Sequence, residues 1–312
     1  MFTLNQEITS TTTGLPSCVR PEKFAEANSW PALDEIWRVC EMVGTSLWRT
    51  GMTSRLRSNS RNLPDDRGMM RIFAVAIAYS QNARSKQVGV LIETEEFRRA
   101  FAEFDPAKLA RMRPGVILDR HWPHLSSMRF RGKVDRIVRC AEVLCGIQKE
   151  FGSFAVYLRS FRIPQRLRRS DDLDAFWERF DLLRADLRQR EMPFFRSTTS
   201  LLQLLLDLDF DSVKPDLIVM RLARRIGIVD QENGESALRE CVRSIQEYSI
   251  GRSRRAAVLD LALLAFGGQS GASQLLSKKF CSHSDPCLNE TCTIGANHMC
   301  RARRWTVTRS NT

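Results

Sequence analysis

Lys214-Pro215-Asp216-Leu217-Ile218-Val219-Met220-Arg221 puts one carboxylate at the mouth of an apolar helical stretch, upstream of a four-cysteine cluster in a strongly basic chain. Aspartate suits a helix N-cap because its side chain accepts hydrogen bonds from first-turn N–H groups. Those groups and the helix dipole favour its ionised form, so such an acid stays charged even in a fairly dry place.

Outward from this stretch, the apolar spacing is helical nearly everywhere. Leu33, Ile36, Trp37, Cys40, Val43 and Leu47 recur at three- and four-residue steps after Pro31. Met70, Phe73, Ala74, Ile77 and Ala78 make a second helix, which ends in Tyr79-Ser80-Gln81-Asn82-Ala83-Arg84. Further helices are predicted over 88–92, 95–104, 106–112 and 133–151, with Asp105 as N-cap before Pro106. Cys140 and Cys145 read as core side chains of the last of these. Aromatic stripes follow in 154–161 and 173–180, then helices over 200–210, 216–226, 236–248 and 254–266, closed by Gly267-Gly268. Residues 51–67 read as a polar, basic link, and no alternating run requires a sheet. The predicted fold is all-α, in three parts. Residues 1–30 form a flexible N-terminal arm, 31–267 a helical core of two lobes with a cleft between them, and 268–312 a cysteine metal loop with a basic tail.

The charge points to a polyanion. Lys and Arg total 48 against 36 Asp and Glu, a formal net charge of +12. The excess is concentrated: Arg111, Arg113, Arg120, Arg129, Arg131, Lys133, Arg136 and Arg139 face only Asp119 and Asp135 in that interval. Five arginines and no acid fall between Arg159 and Arg169. Such patches suit phosphate contacts that position a duplex without reading it. A carboxylate beside a polyanion can steady a sugar carbon that turns positive as its base leaves, which implies base excision. The run 201–210 is too short and too interrupted to span a bilayer, and no signal-peptide pattern opens the chain, so a cytoplasmic, nucleoid-associated place is expected. No nucleotide-binding glycine loop and no H-E-x-x-H motif occur, which leaves phosphoryl transfer and metalloprotease chemistry without support.

Several segments, in order, resemble the helix-hairpin-helix (HhH-GPD) DNA glycosylase superfamily. Phe73-Ala74-Val75-Ala76-Ile77-Ala78-Tyr79-Ser80-Gln81-Asn82-Ala83 is similar to its early helix and Ser-Gln turn, and Phe130-Arg131-Gly132-Lys133-Val134 to the opening of the long helix before the hairpin. Gly152-Ser153-Phe154-Ala155-Val156-Tyr157-Leu158, and Ala185-Asp186-Leu187 leading into Phe194–Thr198, resemble the 3-methyladenine branch. Lys214–Arg221 resembles the family's Val-Asp-x-His-Val-x-Arg, best known in the endonuclease III and adenine glycosylase branch. The resemblance runs over about residues 70 to 300.

It implies that Asp216 stabilises the developing oxocarbenium ion or helps activate water. Gln81, or Asn82 beside it, would fill the gap left by a flipped base. Tyr79, or Trp37 and Trp48, would stack on that base. The family's Leu-Pro-Gly-Val-Gly hairpin is here Met192-Pro193-Phe194-Phe195-Arg196, without the glycines that let backbone meet phosphate. Arg196, Ser197 and Thr198 are the expected substitutes, with Lys133, Lys214 and Arg221 as further DNA contacts. Bifunctional members carry a lysine eighteen residues before the aspartate; that position is Thr198, whose hydroxyl forms no Schiff base. A monofunctional enzyme is therefore expected, leaving an abasic site.

Cys281-x5-Cys287-x4-Cys292-x7-Cys300 follows the last long helix, where iron–sulfur members hold their cluster, but with different spacing. Four thiolates suit a [4Fe–4S] cluster or, with His283 and His298 at hand, a structural zinc. His121 and His124 read as loop residues beside DNA. The expectation is a monomeric, monofunctional DNA glycosylase acting on double-stranded DNA with a modified base, an alkylated purine above others. The alternatives are antiviral removal of a hypermodified base such as glucosylated hydroxymethylcytosine, and a non-catalytic DNA-binding module.

Overall fold

The computed structural model describes residues 28–57, 63–81, 83–268, 274–277, 280–281, 292–296 and 299–301. Arm residues 1–27, Asn82, Cys287, His283 and His298 lie outside them. The first helices are α1 (Trp30–Val43), α2 (Ser46–Arg57), α3 (Asp66–Tyr79), α4 (Ser85–Leu91), α5 (Glu95–Ala100), α6 (Pro106–Leu109) and α7 (Pro114–Leu125). The middle of the chain forms α8 (Gly132–Phe151), α9 (Phe154–Ser160), α10 (Ser170–Gln189) and α11 (Thr198–Asp207). Next come α12 (Leu217–Arg225), α13 (Glu235–Gly251), α14 (Ala256–Gly267) and the short α15 (Thr293–Ala296). Among the described residues there is no strand, only an isolated bridge between Gly44 and Leu276, and no helix is long and apolar enough to cross a membrane.

Local chemistry explains the helix starts. Asp65 caps α3 by accepting from Gly68 N at 2.8 Å, and Asp105 caps α6 through Lys108 N at 3.1 Å. Asp172 reaches back to Arg168 N and Arg169 N to fix the entry of α10. Met69, Met70, Phe73, Ala74, Ile77 and Ala78 give α3 a buried face, and the helix packs on α8. Phe73 meets Phe195 at 4.8 Å and Phe154 at 5.3 Å between centroids, tying the α10–α11 turn and α9 to α3. Truncating a ring sealed in this way costs about 3–5 kcal/mol.

α14 is buried nearly all round, the mark of a central helix. It is covered by α1 and α2 from the start of the chain and by α12 and α13 from its second half. Its one buried acid, Asp260, accepts from Arg55 of α2 at 3.0 Å and from Lys214 N at 2.9 Å.

Three sequence expectations need correction. Residues 51–57 belong to α2 rather than a link, because Met52 and its neighbours pack against the core through α14. His121 and His124 sit on α7, not in a loop; Pro114 starts this helix and Pro123 falls in its last turn, and these prolines made the segment read as irregular. The four-cysteine metal loop is not found. Among the described residues, no three His, Cys, Asp or Glu side chains group to hold an ion. Cys281 and Cys292 instead join Phe280 and Ile294 in the apolar core, and half-buried Cys300 packs against it. Cysteine behaves there as a small hydrophobe. The iron–sulfur cluster and the zinc alternative are both withdrawn.

Candidate active site

A cavity of about 640 Å³ opens where four segments converge, a size suited to a ligand of nucleoside scale. One wall is the end of α3 and the turn after it: Val75, Ala76, Tyr79, Ser80 and Gln81. A second is the α10–α11 turn, with Phe194 and Ser197. The third is a polar stripe on α11 (Thr199, Ser200, Gln203 and Asp207), and the fourth the loop carrying Lys214 and Asp216.

Asp216 is the N-cap of α12. Its Oδ1 accepts from Ile218 N at 3.0 Å and Val219 N at 3.1 Å. The cap fixes the rotamer, and the positive end of the helix faces the carboxylate. The loop before it is tied down along its length. Gln246 Nε2 donates to Asp211 O at 2.8 Å, and Ser212 Oγ to Leu202 O at 3.0 Å. Arg255 pairs with Asp209 and Asp211, each at 2.9 Å. Asp260 takes the Lys214 N–H immediately before Pro215 and Asp216. Burial pushes the Asp260 carboxyl up, while Arg55 and the Lys214 amide pull it back.

The α3 wall is held differently. Lys133 is fully buried, and its ammonium donates to Ala78 O at 3.0 Å and to Ser80 O. Burial lowers it to about 8, with help from Arg136. The sequence placed Lys133 on DNA; the structure gives its charge to the carbonyls at the end of α3. It thereby fixes the turn in which exposed Gln81 takes a left-handed backbone, φ 49°. Tyr79 reaches the cavity, and burial raises its phenol, with Glu93 adding to the effect.

The other expected residues divide. Trp37 and Trp48 do not line the cavity: Trp48 is core, edge-on to Trp37 at 6.4 Å, and Arg254 covers Trp37 at 4.6 Å. Ser197 is exposed and caps α11 through Ser200 N at 3.3 Å. Thr198 is buried and points elsewhere, donating to Glu235 at 2.5 Å and accepting from Arg184. These bonds hold Glu235 below the usual carboxylate range despite the raising effect of burial. Arg196 is exposed, and Arg221 lies 3.7 Å from Glu232; neither lines the cavity.

Phe194, Gln203 and Asp207 line the cavity without having been expected there from the sequence. Phe194 adopts a left-handed backbone, φ 68°, of the kind glycine takes most readily, and adds a ring to the wall. Gln203 and Asp207 read only as interruptions of an apolar run. Their spacing from Thr199 and Ser200 was the usable signal, since it repeats every helical turn.

The comparisons bear on part of the chain. No curated protein and no solved structure matches it. A family model does match, over a segment from just before α3 to within α11, a little under half of the chain and short of the 70–300 expected. Asp207 and Asp216 lie beyond its end. Residues 64–204 are matched by the methyladenine glycosylase family, within the helix-hairpin-helix superfamily, as their resemblance had implied.

Proposed function

We propose that this protein is a monofunctional DNA glycosylase that hydrolyses the N-glycosidic bond of a flipped, modified base, with alkylated purines favoured, and leaves an abasic site. The observation that carries the reading is Asp216, rigidly capped at a helix N-terminus and facing a nucleoside-sized cavity. The family match supports the reaction class. In this reading the helical core comprises two lobes, one centred on α3 and α8 and the other on α14, with duplex DNA across the cleft.

Gln81 occupies the stack as the base leaves it, and Tyr79 and Phe194 contact the flipped base. As the C1′–N bond lengthens, positive charge builds on the sugar and Asp216 stabilises it. A fixed group aimed at developing charge is commonly worth 10²–10³ in rate, or about 3–4 kcal/mol. Water then adds to C1′. Thr198 cannot form a Schiff base, and its hydroxyl is already engaged with Glu235, so the strand stays intact until alkali treatment. Arg196, Ser197, Lys214 and Arg221 are the proposed phosphate contacts, which makes binding salt-dependent.

The test is base release from duplexes bearing methylated purines, with wild type beside Asp216→Asn. Release by wild type, at least about 100-fold slower in the variant, with alkali-labile sites as product, is the expected result. Equal release by both proteins would remove Asp216 from the chemistry. Absence of release from every duplex by wild type would overturn the enzyme reading.

A further inference from the structure

The cavity holds a second carboxylate that this account leaves without work. Asp207 is the last residue of α11, one helical turn beyond Gln203 and on the same stripe as Thr199 and Ser200. Gln203 Nε2 donates to its Oδ1 at 2.6 Å. Among the described residues, no cation lies within ion-pair distance of it. The two aspartates are thus set apart: Asp216 is anchored by two backbone amides at a helix start, and Asp207 by one neutral amide at a helix end.

Resting on the glycosylase reading, we propose that Asp207 is the general acid of this cavity, donating a proton to the departing base so that neutral purines, as well as cationic alkylated ones, are released. A cationic base needs no proton to leave. A neutral purine departs as an anion unless a ring nitrogen is protonated while the bond breaks. The Asp207 carboxyl gives that proton, and the C1′–N electron pair goes to the base. Hydroxide from water completes the sugar at C1′, the remaining proton of that water passes to solvent, and solvent reprotonates Asp207. The product is neutral base plus abasic sugar.

The surroundings suit the task. Asp207 is exposed to solvent and forms part of the cavity's concave lining. Desolvation by the surrounding protein raises its carboxyl to about 6, against the lowering effects of Gln203 and of Lys214 and Arg55; Asp260 pushes it further upward. Asp216, Lys214 and Tyr79 are the other titratable groups lining the cavity. An acid poised in this way can be protonated near neutrality and regenerate afterwards, which is the condition for efficient proton transfer.

The experiment measures base release from pH 5 to pH 8 for wild type, Asp207→Asn, Asp207→Glu and Asp216→Asn. One duplex carries N7-methylguanine, a cationic base, and another hypoxanthine, a neutral one. Wild type is expected to release both, with the hypoxanthine rate alone falling about tenfold per pH unit above about 6. Asp207→Asn is expected to lose hypoxanthine release by about 100-fold or more while keeping N7-methylguanine release, which also shows that it folds. Asp207→Glu should restore part of the hypoxanthine rate with its pH limb, and Asp216→Asn should lose both substrates. Equal loss of both substrates in Asp207→Asn, no loss of either, or release of N7-methylguanine alone by wild type at every pH would overturn the acid role and leave the glycosylase reading standing. No release of either base by wild type would overturn both.

Discussion

Lys133 pins the turn after α3 by a single charge set on neutral carbonyls, whereas Asp260 holds the loop before Asp216 as one member of a set of paired ions. The lysine spends its charge on two neutral carbonyls, Ala78 O and Ser80 O, and its ammonium is driven down to about 8 by burial. The loop before Asp216 is fixed by opposite charges: Arg55 with Asp260, and Arg255 with Asp209 and Asp211. A buried charge facing dipoles keeps part of its desolvation cost, while a buried charge facing a counter-ion recovers more but collapses harder when its partner is lost. The wall that presents Gln81 is therefore tunable, and the wall that presents Asp216 is rigid.

Asp260→Ala should break the contrast most strongly. It takes the counter-ion from Arg55, which keeps only Ala257 O among the described residues, and the acceptor from the Lys214 N–H, at a cost of about 3 kcal/mol in a chemical denaturation curve. Base release should fall with it as Asp216 loses its footing. If the variant unfolds at the wild-type denaturant concentration, the network is not what secures the loop.

Lys133→Met should cost less, about 1–3 kcal/mol, because it leaves two carbonyls without their donor but no charge without a partner. This substitution also sharpens the comparison through pH. The unfolded chain keeps the Lys133 proton up to the ordinary lysine value of 10.5, while the folded chain releases it near 8. Between those values the unfolded state binds more protons, so wild-type stability rises with pH relative to Lys133→Met, by up to about 1.4 kcal/mol per unit. Parallel stability curves for the two proteins from pH 7 to pH 10 would show that the ammonium carries no such strain.

Glu235→Gln should do least. The pair with Arg184 is partly exposed, and its loss should cost under about 1 kcal/mol. Because the folded Glu235 carboxyl lies below its ordinary value of 4.5, that contribution is present above about pH 4.5 and lost as pH falls through the folded value. A large effect at neutral pH would instead tie the base of α11 into the rigid wall.

Much of this arrangement was legible in the chain. The period of α3, α8 and α10 is regular, and Asp216 stands at a helix mouth in the sequence as in the structure. The failures have physical causes. Lys133 lies among surface-directed arginines, and a lysine is so seldom fully buried that its side chain was read as facing solvent. Trp48 resembled a pocket aromatic because no local pattern tells a core ring from a stacking one. Phe194 looked like a lost function, since only the fold reveals that it takes a left-handed backbone and gains a place in the cavity. The cysteines suggested ligation by number, but number does not bring side chains together.

The position of α14 sets an order of events in the cell. Arg55 meets Asp260 across 205 residues of chain, and α1 and α2 cover a helix made long after them. On a ribosome those first helices must wait, without their partner, until α14 emerges, while α3 can dock on α8 much earlier. The loop that carries Asp216 is secured only after that late docking. A ribosome-bound chain that stops short of α14 should therefore have α3 docked on α8 but the loop before Asp216 without the Asp260 and Arg255 contacts that secure it.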